Sequence, residues 1–236
     1  MSAEGPADGR GGLQASSPRR PRPPRAPRPS PPAAEADFVV SAAARGQFPQ
    51  PVGFEAALLG RSNCGKSSLL NRWLGRRALA RVGAAPGRTR LINFFQVVWR
   101  VGEAPMHVVD LPGYGYAAAP KAMVESWRRL VEDYLQAERG PRLALILMDV
   151  RRGVQPEERR LADWLDELGL PFQVVATKAD KLSGGRLTSS LAAIGRELGG
   201  LPLAFSSLTG RGREELLALV ERRRHESGAP GAADDS

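Results

Sequence analysis

One octapeptide constrains this 236-residue chain more than any other feature. Gly60-Arg61-Ser62-Asn63-Cys64-Gly65-Lys66-Ser67 fits the spacing G-x-x-x-x-G-K-[ST] at every fixed position. An apolar stretch, 54–59, precedes it, and a helix-period segment, 66–74, follows it. The glycines let the backbone curl until its N–H groups face inward, and the following helix adds the positive end of its dipole. Such a turn cradles phosphate oxygens. Lys66 can reach the outer phosphates of a nucleoside triphosphate, and the Ser67 hydroxyl can ligate Mg²⁺. A loop of this kind needs a strand before it and a helix after it, which points to an α/β sheet with helices packed on its faces.

The rest of the chain fits that expectation. Residues 91–101 (LINFFQVVWRV) and 106–110 are rich in β-branched and aromatic residues around a turn at 102–105, and predict a hairpin. Residues 121–138 carry apolar side chains at helical spacing. Residues 142–149 (RLALILMD) form a continuous apolar run, as expected of a strand buried on both faces. Helix is predicted over 156–168, 186–198 and 214–224, and strand over 172–177 and 203–206. The sum is a mostly parallel six-stranded α/β sheet with one antiparallel edge strand and helices on both faces.

Three further motifs fall at strand ends, where ligands sit in sheets of this kind. Asp110-Leu111-Pro112-Gly113 closes a strand 44 residues after Lys66. There a carboxylate can hold Mg²⁺ through water, and a glycine N–H can meet a third phosphate. Thr177-Lys178-Ala179-Asp180 closes another strand. The Asp180 carboxylate can accept two hydrogen bonds from guanine N1–H and its 2-amino group. Adenine offers neither donor, and an unpaired buried carboxylate is costly, so the motif selects guanine. The Lys178 stem can lie along the base plane. Ser206-Ser207-Leu208, 26 residues after Asp180, can offer backbone N–H groups to guanine O6. Thr89, in the loop Gly87-Arg88-Thr89-Arg90-Leu91, can complete the Mg²⁺ shell when a third phosphate is present.

Charge and proline are unevenly spread. The formal charge is +9, and nearly all the basic residues are arginines. Residues 1–35 hold nine of the 20 prolines and carry +3, while the last eleven residues carry −3, so the part between them alone carries +9. The expected organisation is a disordered Arg/Pro-rich arm over 1–36, one domain over 37–225 and a disordered acidic tail over 226–236. The arm lacks the apolar centre of a secretory signal, and its prolines forbid the amphipathic helix of a transit peptide. It is either a solvated tail or an RNA-contacting arm. No apolar run is long enough to span a membrane. One cysteine and two distant histidines exclude a disulfide framework and a multi-ligand zinc site. The positive charge points to an anionic partner.

The stretches GRSNCGKSSLLN, PGRTRLINFF, DLPGYGYA and TKADKL together resemble the EngB (YsxC) GTPases, which stand beside Era, EngA and TrmE in the TrmE-Era-EngA-EngB-septin-like class. The similarity runs over about 38–219. It implies a single Ras-like P-loop GTPase domain that binds GTP and GDP with Mg²⁺ as cofactor. It also implies a role in assembly of the large ribosomal subunit, with its precursor and rRNA as partners, a link to cell division and septation, and a bacterial cytoplasmic, monomeric protein. GTP contacts then fall on the residues of the four motifs and on Gly87 to Leu91, and the metal ligands on Ser67, Thr89 and, through water, Asp110. Two departures stand out: Cys64, where the family usually has valine, and the long N-terminal arm.

The catalytic apparatus has a gap. Ras-type enzymes carry a glutamine after the D-x-x-G glycine, and here that position is Tyr114. Unaided hydrolysis is therefore expected to be slow, on the order of 10⁻⁴ per second or less. Lys66 and Thr89 remain as the catalytic candidates, with Asn63 as a K⁺ ligand, since relatives with asparagine there can use K⁺ in place of an arginine finger. The competing readings are a GTP-dependent partner of the division apparatus with no RNA target, and an ATP-using kinase, which Asp180 disfavours. Trp73, Trp127, Trp164, Phe172 and His107 are read as structural, His107 with no visible partner.

Overall fold

The computed structural model describes residues 33–76, 79–80, 91–114, 121–140 and 142–228. Its centre is β5 (Arg142–Asp149), flanked by β2 (Glu55–Gly60) and β6 (Phe172–Thr177). Beyond them come β4 (Met106–Asp110), β3 (Ile92–Val98) and β1 (Glu35–Ala42) on one side and the short β7 (Leu203–Ala204) on the other. The order is β1-β3-β4-β2-β5-β6-β7. Strands β4, β2, β5, β6 and β7 pair in parallel, while β3 runs antiparallel to both its neighbours.

The expected class is therefore present, with seven strands instead of six. The added strand, β1, lies outside β3, so the antiparallel strand is second from the edge. Ala33 N–H bonds Leu74 O and Ala34 N–H bonds Trp99 O, each at 3.2 Å, so paired backbone begins ahead of residue 37. Residues 33–36 are thus part of the hydrogen-bonded structure, with β1 beginning at Glu35. At the other end, α5 (Arg213–Glu226) runs to the expected start of the tail. Residues 1–32 and 229–236 lie outside the described residues.

Alternation along β5 sorts the core into two layers. Leu143, Leu145 and Leu147 pack with α1 (Lys66–Leu74) and α5 through Leu70, Trp73, Leu216 and Val220. Ala144, Ile146 and Met148 face α2 (Lys121–Leu135), α3 (Pro156–Glu167) and α4 (Gly184–Leu198) through Tyr134, Leu165 and Ile194. Period-2 side chains on a strand covered on both sides produce this division. The sheet order reverses at β2, whose two neighbours are β4 and β5. A crevice at the carboxyl ends of the strands opens at such a reversal. The opposite end of β2 is closed by a buried ion cluster. Glu55 receives Arg139 Nη2 at 2.8 Å and the Tyr134 hydroxyl at 2.8 Å, and lies 3.3 Å from His107 Nδ1. His107 is thus structural, as expected, but it does have a partner.

Candidate functional site

The phosphate-loop sequence forms the turn between β2 and α1. Gly65 is the residue before the helix, with φ +107°, a region that costs a side chain and suits glycine. Helix α1 follows at Lys66, whose Nζ donates to Gly60 O at 3.1 Å across the mouth of the turn. Ser67 sits half-buried in the first turn of α1, and Cys64 is buried behind the loop. Burial raises the Cys64 thiol above its ordinary range, against the pull of Lys66.

Asp110 ends β4 beside this loop, with Leu111 and Pro112 buried after it. Burial pushes its carboxyl up to about 6, and the Lys66 ammonium offsets only part of that. Among the described residues its buried Oδ1 has no hydrogen-bond partner. A buried carboxylate oxygen without a partner fits a cation or its water shell. The residues present thus fit Mg²⁺ chemistry. Gly113 and Tyr114 continue over the loop, where the Ser62 N–H donates to Tyr114 O at 2.9 Å and Arg61 pairs with Tyr114.

The third motif is tied to the first through side chains. Thr177 Oγ1 lies 2.6 Å from Cys64 O and 2.9 Å from Met148 O, and its single proton is shared between these two carbonyls. Lys178 Nζ donates to Asn63 O at 2.8 Å. Among the described residues, the non-glycines with positive φ are Asn63, at 61°, and Lys178, at 57°. Backbone in this region is held only where its surroundings fix it, and such residues gather at functional sites. Ala179 N–H bonds Phe205 O at 3.0 Å, which draws Asp180 against the strand that leads to Ser206. The Ser206 hydroxyl donates to Asp180 Oδ1 at 2.6 Å and holds this carboxyl below its ordinary range, with burial opposing and Lys181 assisting. Ser206 N–H itself donates to Arg211 O at 3.0 Å. The serine therefore orients Asp180 through its side chain, and Ser207 and Leu208 are left as the amides of that loop for a base oxygen. Gly87, Arg88, Thr89 and Arg90 lie outside the described residues, and Leu91 is half-buried just before β3.

The family description "50S ribosome-binding GTPase" matches residues 55–178, from the first residue of β2 to the lysine of the third motif. A protein of Solibacter usitatus (strain Ellin6076) named "Probable GTP-binding protein EngB" is 43% identical over 186 residues, spanning 79% of this chain and 94% of its own. This chain belongs to the EngB family. A second EngB relative, from Pelotomaculum thermopropionicum (strain DSM 13744 / JCM 10971 / SI), is 44% identical over 192 residues with the same coverage. The crystal structure of a probable GTP-binding protein engB overlaps 73% of this chain and 99% of its own, with TM-score 0.56 at 21% identity, a likeness of fold. Era, solved in complex with MgGDPNP and nucleotides 1506-1542 of 16S ribosomal RNA, gives TM-score 0.58 at 25% identity over 73% of this chain and 56% of Era.

The EngB motifs leave some of the site unread. Asp149, at the end of β5, lies 3.0 Å from Lys178 Nζ and accepts Arg151 Nη2 at 2.6 Å and Nε at 2.9 Å. Burial alone would raise its carboxyl, but the bonds from Arg151 and Lys178 hold it well below the usual carboxylate range. Asp149 thus fixes the lysine that reaches the phosphate loop. Its position at a strand's carboxyl end beside two cations, Arg151 and Arg152, is the sequence signal that could have found it. Trp73 is fully buried, while Trp164 and Phe172 are half-buried at the core's edge. The Trp127 side chain lies outside the described residues.

Proposed function

We propose that this EngB-family protein is a slow, Mg²⁺-dependent GTPase that acts as a nucleotide-switched factor in assembly of the large ribosomal subunit, in the bacterial cytoplasm, as a monomer. The family match described as a 50S ribosome-binding GTPase carries this reading. The motif loops support it by converging on one crevice through the Lys178–Asn63, Thr177–Cys64, Ser62–Tyr114 and Ser206–Asp180 bonds. Asp110 through water, Ser67 and Thr89 would hold Mg²⁺, which supplies charge neutralisation between the outer phosphates. Asp180, with Lys178 along the base, would read guanine. The net charge of +9 favours an RNA-rich partner, and the link to cell division and septation would follow from the ribosomal role.

Tyr114 stands where a water-orienting glutamine would, so an external charge is needed for rapid turnover. We assign that part to K⁺ near the exposed Asn63, or to the ribosomal particle. Turnover in K⁺ is expected to exceed turnover in Na⁺, and Asn63→Ala is expected to remove the difference; equal rates throughout would sink the K⁺ assignment. The ribosomal role is tested by sedimentation at low salt. The protein should travel with large-subunit precursors more with GTP than with GDP. Free migration with either nucleotide would favour a division-apparatus partner without RNA.

A further inference from the structure

The lysine and the glycine placed to meet a third phosphate lie side by side. A methyl group built on Gly113 would lie 2.8 Å from Lys66 Nζ and 3.0 Å from Ser62 N. As it stands the gap does not admit one carbon, and a phosphoryl group is larger. Although the Lys66 end can swing aside, the Ser62 backbone at 3.0 Å cannot, so Gly113 must lift from it. A second phosphate is held within the loop by the amides at the start of α1, whereas a third must be met by both Lys66 and Gly113. It therefore has to part them.

What resists that parting is visible on both sides of the backbone. On one side, the Ser62 N–H donates to Tyr114 O at 2.9 Å, so the chain after β4 lies on the phosphate loop like a short added strand. On the other, the Tyr114 hydroxyl donates to Glu158 Oε1 at 3.2 Å. Glu158 is a firm anchor. It is 2% exposed, it belongs to the first turn of α3, and its Oε2 accepts the Gln155 N–H at 3.0 Å in a capping box. Such a carboxylate has little freedom to follow a moving partner, so lifting Gly113 breaks the tyrosine bond.

We infer that the Tyr114–Glu158 hydrogen bond is a specificity-determining contact that favours the diphosphate over the triphosphate, by holding Gly113 against Lys66. The inference rests on the guanine-nucleotide reading above. It gives Tyr114 a role in place of the absent glutamine: it weights the switch toward the state without a third phosphate, and a partner that draws Tyr114 away from Glu158 promotes the triphosphate state.

Tyr114→Phe removes the hydroxyl and keeps the ring. The measurement is titration of the full chain, in Mg²⁺, with GDP and with a non-hydrolysable GTP analogue. The ratio of triphosphate to diphosphate affinity is expected to rise roughly three- to tenfold, the range of one ordinary hydrogen bond, with GDP affinity little changed. An unchanged ratio in a variant that melts like the wild type overturns the proposal. Hydrogen exchange at the Ser62 amide of the wild type supplies a test without any variant. Exchange should be slow with GDP and faster with the analogue, and equal protection in both states overturns the proposal. A wild-type chain that binds neither nucleotide removes the guanine reading itself, an outcome distinct from binding both with a fixed ratio.

Discussion

Asp149 shows how a single buried carboxylate serves a site it does not touch. Its oxygens hold Lys178 at 3.0 Å and Arg151 at 2.6 Å, and Lys178 in turn holds the Asn63 carbonyl at 2.8 Å. Neutralising it leaves two cations side by side and frees the lysine from its left-handed backbone position. Asp149→Asn is therefore expected to weaken GDP binding about tenfold, the equivalent of roughly 1.4 kcal/mol. Fluorescence titration checks this, and unchanged affinity in a folded variant would remove Asp149 from the site. The phosphate-loop residues were legible because their chemistry is local: the glycines, Lys66 and Ser67 lie within one turn. Asp149 and Lys178 stand 29 residues apart in sequence and meet only because β5 and β6 are adjacent. The Ser206 side chain was unread for a similar reason, since its backbone was the obvious donor and its hydroxyl found Asp180 only in the fold.

At the scale of elements, β2 is a rod with a task at each end. Gly60 opens the phosphate loop, and Glu55, at the other end, anchors the segment that follows α2. Arg139 reaches Glu55 at 2.8 Å and Pro49 O at 2.9 Å, and its guanidinium lies 5.2 Å from the centre of the Phe94 ring. Tyr134, in α2, joins the same carboxylate. Breaking a buried pair leaves an uncompensated charge, so Glu55→Ala is expected to destabilise the protein by about 3–5 kcal/mol, measured by denaturant unfolding. Burial would raise the Glu55 carboxyl, but the hydrogen bonds from His107, Arg139 and Tyr134 outweigh it and set it below its ordinary value of 4.5. A depressed carboxyl contributes stability above its unfolded pKa and loses it below. Unfolding midpoints should thus hold steady above about pH 4.5 and fall as the pH drops through the lower folded value, with Glu55→Gln removing this acid-dependent part. Most elements could be read from pattern, because helices of period 3.6 and apolar central strands carry strong local signals. Strand β1 could not. It is an edge strand with Phe38 and Val39 exposed and a register shift between Phe38 and Val40, and its partner β3 lies some fifty to sixty residues away. The Glu55 cluster hid in a run that reads as plain apolar strand, its partner Arg139 being 84 residues distant.

For the molecule as a whole, charge and thiol content each have a consequence. The part between residues 36 and 225 carries the full +9 by itself, so the proposed attraction to RNA does not need the Arg/Pro-rich segment. Removing residues 1–32 is expected to lower affinity for RNA while leaving a salt-dependent slope, and loss of all salt dependence would place the attraction in that segment. No described helix is long and apolar enough to cross a membrane. The single cysteine, Cys64, lies behind the phosphate loop with its carbonyl held by Thr177, and burial keeps its thiol protonated. A protonated, enclosed thiol reacts with an alkylating reagent only when the loop around it opens. The native chain thus carries its own chemical clock: the rate at which one atom is labelled reports how often the nucleotide cradle comes apart, with no cysteine to add and none to remove.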